Sequence, residues 1–309
     1  MVISIDLTVI MKKIFIDPLR SRKKNRVEQL HFSKDGVPLP SVIEISESGM
    51  CNRLCTFCPR SDPNYKHVNE FIPSSLILKM SKELSLLNYK GLILFSGFVE
   101  PLLDKNIYNL ISIIRKNLPM AQIEIITNGD VLDKKRVLKL FSSGLSALLV
   151  SIYDGEKEYK QMQKLFLDSG LSEDQYKIRK RYLSEDQNFG LSLSNRSGMM
   201  ENALHKIPSP KNPIKKNCFY PGYTFFMDYT GEVLTCNHDW GKKLIIGNLK
   251  DKSFMDLWLD EEWMIAREKL YKGDRDFAPC NKCDVDGTMM GKPHAEAWKD
   301  FKSKKNNPY

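Results

Sequence analysis

Four short apolar runs, VIEIS at 42–46, GLILF at 91–95, IEIIT at 123–127 and ALLVS at 147–151, recur through the chain with helical patterns between them. Pro73 opens one such helix, with Leu76, Ile77, Met80, Leu84 and Leu87 at helical spacing, and similar patterns run from Lys105 to Lys116 and from Val131 to Phe141. Runs this apolar are buried on both faces of a sheet, and a helix between two of them is the usual crossover between parallel neighbours. The region is therefore expected to be α/β. Another helix pattern spans Glu156 to Leu167. Beyond it, YKIRKRYL (176–183) and FGLSLS (189–194) both read as strands. The gap between them is too short for a helical crossover, so one of the two is expected at an edge or in a hairpin.

Pro208, Pro210 and Pro213 fall in the lysine-rich stretch HKIPSPKNPIKK, which reads as a linker. Three segments are expected: a basic N-terminal extension (1–40), the α/β region (41–205) and a smaller C-terminal unit (206–309). In the last, YTFFMDYTGEVLTC reads as a β-hairpin turning at Tyr229 to Gly231. A helical pattern from Ser253 to Tyr271 follows, with Phe254, Leu257, Trp258 and Ile265 on one face and Trp263 on the opposite one. The acidic run Asp260-Glu261-Glu262 is a candidate break in it. No internal repeat is present.

At 28% charged and 42% hydrophobic residues the composition is that of a folded globular chain, which excludes a largely disordered one. The N-terminal run VISIDLTVI is interrupted by Asp6, is too short to span a membrane and lacks a small-residue cleavage site. A cytoplasmic, reducing location is expected, where clustered cysteines are more often metal ligands or redox groups than disulfides. Met11, followed by KKIF, is an alternative start. The net charge of +9 favours anionic partners: nucleic acid, acidic lipid, a phosphorylated substrate or an acidic electron-transfer protein. The densest basic run, RSRKKNR from Arg20 to Arg26, has no interleaved aromatics and reads as a solvated arm, which argues against nucleic acid.

The chain has seven cysteines, an odd number that a full set of disulfides cannot use. Cys51, Cys55 and Cys58 follow the first strand with the spacing C-x3-C-x2-C. Structural zinc takes four ligands, usually from two C-x2-C knuckles, and the nearest candidate fourth, His67, lies further along. Three thiolates with one position open suit an iron-sulfur cluster in which one iron binds something other than protein, because such clusters are otherwise held by four cysteines.

With Phe57 before its last cysteine, this triad resembles the signature of the radical S-adenosylmethionine (radical SAM) superfamily. The resemblance implies a partial (β/α)6 TIM-like barrel and a 4Fe-4S cluster on Cys51, Cys55 and Cys58. It also implies that the cluster's unique iron is chelated by the amino and carboxylate groups of S-adenosyl-L-methionine (SAM). One electron then cleaves the sulfonium to methionine and a 5'-deoxyadenosyl radical, which abstracts a substrate hydrogen. SGFVEPLLD (96–104) resembles the family's G-G-E-P motif: Glu100 and Pro101 match and Gly97 is near, but Val99 stands where glycine is expected. Thr127 and Asn128 in TNG, and Ser151 in SIYDG, resemble the positions that contact the cofactor's ribose and carboxylate. In a parallel barrel all of these strand ends open on one mouth. Arg196, in Asn195-Arg196-Ser197-Gly198, is a further candidate for a carboxylate or phosphate contact. On the residues alone, Glu100 as an N-terminal helix acid, Asn128-Gly129 as a plain turn and Arg196 in an ordinary polar loop remain open.

Cys218, Cys236, Cys280 and Cys283 account for the remaining thiols and, by spacing alone, suit zinc as a closed four-ligand site. The hairpin, CNHDW, IGNL, Leu257-Trp258 and the final C-x2-C are similar to the SPASM/Twitch extension of radical SAM enzymes. With four cysteines the shorter Twitch form is implied, carrying one auxiliary 4Fe-4S cluster, with His238, Asp239 and Lys242 as candidates for the shell that tunes it. A closed cluster suits electron uptake. The layout resembles the 2-deoxy-scyllo-inosamine dehydrogenase branch, which implies oxidation of a hydroxyl-bearing carbon in a sugar, cyclitol or nucleotide sugar.

The implied partners are a small-molecule substrate, phosphorylated or nucleotide-linked, and an electron donor such as flavodoxin or ferredoxin. Alternatives are sugar epimerisation or dehydration, and peptide modification, for which the stretch before the first strand is short. The layout also resembles molybdenum cofactor biosynthesis protein A, without its glycine-pair tail. A zinc-binding, nucleic-acid-associated protein is the non-enzymatic reading. Tyr153, Asp154, Arg179, Arg181 and Arg196 are candidates for a proton acceptor or an anion contact.

Overall fold

The computed structural model describes residues 19–306. The apolar N-terminal run and the alternative start at Met11 lie outside them. The basic run forms helix α1 (Leu19–Val27), followed by a two-stranded antiparallel ribbon, β1 (His31–Phe32) with β2 (Pro38–Leu39). Strands and helices then alternate: β3 (Val42–Ser46), α2 (Ser74–Leu86), β4 (Leu92–Phe95), α3 (Ile107–Asn117), β5 (Gln122–Thr127), α4 (Lys134–Ser142), β6 (Ala147–Ile152), α5 (Glu156–Asp168) and β7 (Tyr176–Lys180). The remainder comprises β8 (Thr224–Asp228), β9 (Glu232–Leu234), β10 (Ile245–Asn248), α6 (Phe254–Trp258), α7 (Glu261–Tyr271) and α8 (Lys292–Asn306).

The eight strands from β3 onward make one sheet in the order β10-β9-β8-β3-β4-β5-β6-β7. β3 to β7 run parallel in chain order, and β8 adds a sixth parallel strand on the free side of β3, with Val42 opposite Thr224. β9 and β10 continue antiparallel, so the edges are β10 and β7 and the barrel stays open. The hairpin expected as part of a separate unit thus extends the barrel sheet. The apolar core is continuous as well: Ile43, Ile93 and Ile123 share a cluster with Phe225, Trp258 and Trp298.

Alternation along each strand explains this arrangement. Ile43, Ile45, Ile93, Phe95, Ile123, Ile125, Leu148 and Val150 join the main core under the helices. Their neighbours Glu44, Leu92, Leu94, Glu124, Ile126, Leu149 and Ser151 line a cavity of about 450 Å³ on the other face. The runs are buried on both faces, as their composition demands, and each of β3 and β5 sends one carboxylate into the cavity.

Three local expectations change. FGLSLS forms no strand: Asn188 and Phe189 are left-handed (φ 50° and 52°), so the chain reverses there, and β7 is left as the sheet edge. The pattern from Ser253 breaks after Trp258 at the expected acidic run, where Asp260 restarts the helix by accepting from the Glu262 N–H, but the faces differ from those read. That break resets the helical phase, so Trp263 is fully buried while Ile265 is half exposed. The basic run, expected to be solvated, is a docked helix whose Arg20, Arg22, Lys23 and Arg26 line the cavity.

Candidate active site at the cavity mouth

The loop from Cys51 to Cys58 lies over the C-terminal ends of β4, β5 and β6, fastened by hydrogen bonds. The Arg53 guanidinium donates from Nε to Asp130 (2.7 Å) and from both terminal nitrogens to Asp154 (3.0 and 2.8 Å), acids that follow β5 and β6. Its face lies over the Tyr153 ring, which in turn stacks on Phe57. Asp130, Asp154 and Glu158 are the one tight group of potential metal ligands among the described residues, and Arg53 is the cation that serves them. Asn52 donates to Asp130 and accepts from the Asn128 amide at 2.7 Å. Buried Arg60 donates from Nε to the Phe98 carbonyl (2.8 Å) and from a terminal nitrogen to that of Gly49 (2.7 Å), clamping the turn after β4 against the chain entering the loop. Arg60 also approaches His67 Nδ1 at 3.2 Å, which occupies the nearest alternative metal ligand.

Glu100 is buried within that turn. One carboxylate oxygen accepts from the Thr127 hydroxyl (2.6 Å) and the Leu102 N–H (3.0 Å); the other accepts from the Asn128 N–H (2.6 Å). It does cap the short turn Pro101–Leu103, as the simpler reading had it, and it also ties the end of β4 to the end of β5. Burial pushes its carboxyl up to about 7, against the opposing pull of those three hydrogen bonds. Gly97 (φ 102°) sits against the Phe226 ring and Ser46, where a Cβ would come within 3.0 and 3.2 Å, so the sharp turn needs glycine. Gly129 (φ 80°) is likewise constrained by Val150 and Met162, so the turn after β5 also needs glycine. Ser151 accepts from Arg179 at 2.7 Å. Cys51, Cys55, Phe57, Cys58, Gly97, Glu100, Thr127, Asn128, Ser151 and Arg196 all line the one cavity.

The seven cysteines are all free and form two groups. Burial raises the thiols of Cys51, Cys55 and Cys58, that of Cys55 to about 12, and the three act on one another through space. In the second group burial raises Cys218 to about 11 and Cys236 well above its usual range, with Cys280 and Cys283 in mutual reach. Such thiols stay protonated at neutral pH unless a metal centre draws the proton off. Three thiols in one group and four in the other are ligand sets of the kind that hold iron-sulfur clusters through cysteine thiolates. Gly287 packs so closely on Cys218 that a Cβ there would meet its sulfur at 2.3 Å.

One short turn acts on both groups. The Arg196 charge acts on Cys58 and lies 3.4 Å from His238 Nδ1, while Ser197 hydrogen-bonds Cys283. The His238 N–H donates to Cys236 Sγ (3.4 Å), and burial beside Arg196 and Lys23 keeps its ring neutral. Asp239 accepts from the Lys243 and Leu244 N–H groups, shaping the loop. Lys242, considered for the same shell, is instead engaged by Asp228 and Glu232.

Two carboxylates on the concave face were missed from the sequence. Glu44 on β3 accepts from the Asn237 amide (2.9 Å) and the Tyr220 hydroxyl (3.4 Å), and Asn237 is the residue after Cys236. Glu124 on β5 accepts from Arg22 (2.7 Å) and pairs with Arg26 (3.0 Å). A lone Glu inside each apolar run was the signal. Of the proposed proton acceptors, Asp154 is held outside by Arg53, and burial next to Cys55 pushes the Tyr153 phenol far above its usual range.

Comparison with known proteins agrees with this architecture. The family model described as the radical SAM superfamily matches residues 45–167, and the SPASM model, an iron-sulfur cluster-binding domain, matches 218–284. A curated relative from Niallia circulans, S-adenosyl-L-methionine-dependent 2-deoxy-scyllo-inosamine dehydrogenase, is 30% identical over 245 residues, covering 79% of this chain and 92% of the relative. A GTP 3',8-cyclase from Clostridium perfringens is 32% identical over 111 residues, about a third of each chain. The crystal structure of BtrN in complex with AdoMet and 2-DOIA superposes with a TM-score of 0.68 at 26% identity, covering 82% of this chain and 96% of BtrN. No helix among the described residues is long and apolar enough to cross a membrane.

Proposed function

The chain belongs to the radical SAM superfamily, and from that premise we propose that it oxidises a hydroxyl-bearing carbon of a sugar, cyclitol or nucleotide sugar to a carbonyl. The observation that carries the reading is a single cavity bounded by the Cys51/Cys55/Cys58 loop at the strand ends and by the Glu44–Asn237 contact beside Cys236 on the sheet face. When bound, SAM and a 4Fe-4S cluster on the triad supply the radical that takes the carbon's hydrogen, and a second 4Fe-4S cluster on Cys218, Cys236, Cys280 and Cys283 takes up one electron. In this reading Glu100, Thr127, Asn128 and Ser151 orient SAM, with Phe57, Gly97 and Arg196 shaping the walls. Glu44 accepts the hydroxyl proton, because its hydrogen-bond donors are neutral groups while Glu124 is already neutralised by two arginines. Substrate loses a hydrogen atom, a proton and an electron in all, and the proton and electron leave on the same side of the cavity.

The named relatives support this reading through chemistry of the same kind: one is a dehydrogenase by name, and the superposed structure holds AdoMet. A small-molecule substrate carrying a phosphate or nucleotide, a flavodoxin or ferredoxin as donor, a cytoplasmic location and a working boundary near residue 205 belong to the same proposal. The test is anaerobic turnover of polyols and polyol phosphates deuterated at the carbinol carbon. One deuterium in 5'-deoxyadenosine per carbonyl formed is expected. Glu44→Gln should retain that isotope transfer when hydrogen abstraction is followed in a single turnover, yet lose about 10²- to 10⁴-fold in carbonyl formation. An inverted alcohol with no carbonyl would overturn dehydrogenation in favour of epimerisation.

A further inference from the structure

We propose that helix α1 is a recognition element that binds a phosphoryl or pyrophosphoryl group of the substrate inside the cavity. This rests on the reading of the cavity as the substrate site. The helix precedes both stretches matched by the family models, which begin at residues 45 and 218. Its charge pattern is inverted relative to an ordinary surface helix. Ser21, Lys24 and Asn25 face solvent, whereas Arg22, Lys23 and Arg26, at helical spacing with buried Leu19 and Val27, face inward.

That inward charge is only partly met. Arg22 and Arg26 share one carboxylate, Glu124, leaving a positive excess, and Lys23 is set over the Tyr220 ring at 5.1 Å. The Arg26 Nε is buried and has no hydrogen-bond partner among the described residues, although Arg26 still reaches Glu124 at 3.0 Å through a terminal nitrogen. A buried donor left unmet is costly, and guanidinium forks are suited to oxygen-rich anions that can accept several bonds at once. A phosphoryl group supplies both the charge and the acceptors; a neutral polyol supplies neither charge nor a match for the excess.

The helix is held firmly enough to present these groups. Val27 packs on Val42, Leu92, Tyr220 and Tyr223. Its carbonyl lies 2.9 Å from His294 Nε2, which also meets the Ser41 hydroxyl at 2.7 Å. Glu124 reaches up from β5 to fix Arg22 and Arg26. Recognition would therefore meet a preformed surface, at little cost in ordering.

The experiment is calorimetric titration of inorganic pyrophosphate into anaerobically reconstituted enzyme saturated with SAM, with malonate as a carboxylate probe. Wild type should bind pyrophosphate at least tenfold more tightly than malonate. Arg26→Gln should weaken pyrophosphate at least tenfold, and Arg26→Lys, which keeps the charge but loses the fork, should fall between. Lys24→Gln, on the solvent face, should leave binding unchanged. Iron content and the melting temperature of each variant are read on the same samples. Loss of pyrophosphate binding in Lys24→Gln as large as in Arg26→Gln would reduce the effect to general charge and overturn the site. So would equal affinity for malonate, or absence of binding in protein that keeps its iron and its response to SAM. Protein without iron would instead sink the broader reading, which separates the two failures.

Discussion

Three of the roughly four acceptor positions of the Glu100 carboxylate are already taken by Thr127, Leu102 and Asn128, leaving one for a further N–H donor. Because burial holds its carboxyl near 7, the group is largely protonated at pH 6 and ionised at pH 8. If it accepts from an N–H of SAM's amino group, affinity rises as pH increases through 7 and levels off above it. Equilibrium binding should tighten about tenfold from pH 6 to pH 8, and Glu100→Gln should bind weakly with that pH dependence gone. A Glu100→Gln profile parallel to wild type would assign the dependence elsewhere. At this scale the convergence of Cys51, Cys55, Cys58, Glu100 and the strand-end residues on one cavity was legible, because thiolates and strand-end acids carry chemistry that few other roles require. Arg53 and Arg60 were not, since an arginine between cysteines declares nothing until Asp130, Asp154 and the Phe98 carbonyl are brought to it. Val99, the departure from the G-G-E-P pattern, lines the cavity without displacing Glu100.

Helix α1 shows what an element gains from its partners. Its sequence is charged enough to be read as solvated, and only tertiary contacts with Glu124, Tyr220 and Ser41 decide otherwise. His294, whose ring lies between α8 and the end of α1, is fully buried, and that burial depresses its pKa to about 4. The unfolded chain takes up a proton near pH 6.5 while the folded protein resists until about 4, so stability drains as pH falls through that window. Denaturant titrations should show wild type losing up to about 3 kcal/mol more than His294→Gln between pH 6.5 and 4. Identical losses in both proteins would remove His294 from the account. Elsewhere the elements were readable where apolar runs were long and regular, as in β3 to β6. They were misread where one capping acid, Asp260, shifted the helical phase, or where two left-handed residues reversed the chain before FGLSLS could extend.

Across the whole molecule, the linker prolines suggested two bodies, yet one sheet and one core run through both. Helix α2 illustrates the join: its Glu83 carboxylate accepts from the Phe254 N–H at the start of α6 at 2.7 Å, and its Lys79 donates to the Lys252 carbonyl at 2.7 Å. Composition could not reveal this, because β8 pairs with β3 across some 180 residues and nothing local announces so distant a neighbour. The consequence for function is that the second cysteine group is built onto the barrel wall, with Asn237 bonded to Glu44 and the 196–197 turn acting on both groups. The central claim is one open iron-sulfur cluster beside one closed one. Iron and sulfide analysis with electron paramagnetic resonance, on anaerobically reconstituted wild type and a Cys51/Cys55/Cys58 triple-alanine variant, tests it most directly. About eight irons falling to about four, with loss of the signal that responds to SAM, is the predicted result. Zinc in the wild type, or a triple variant that keeps all its iron, would contradict it.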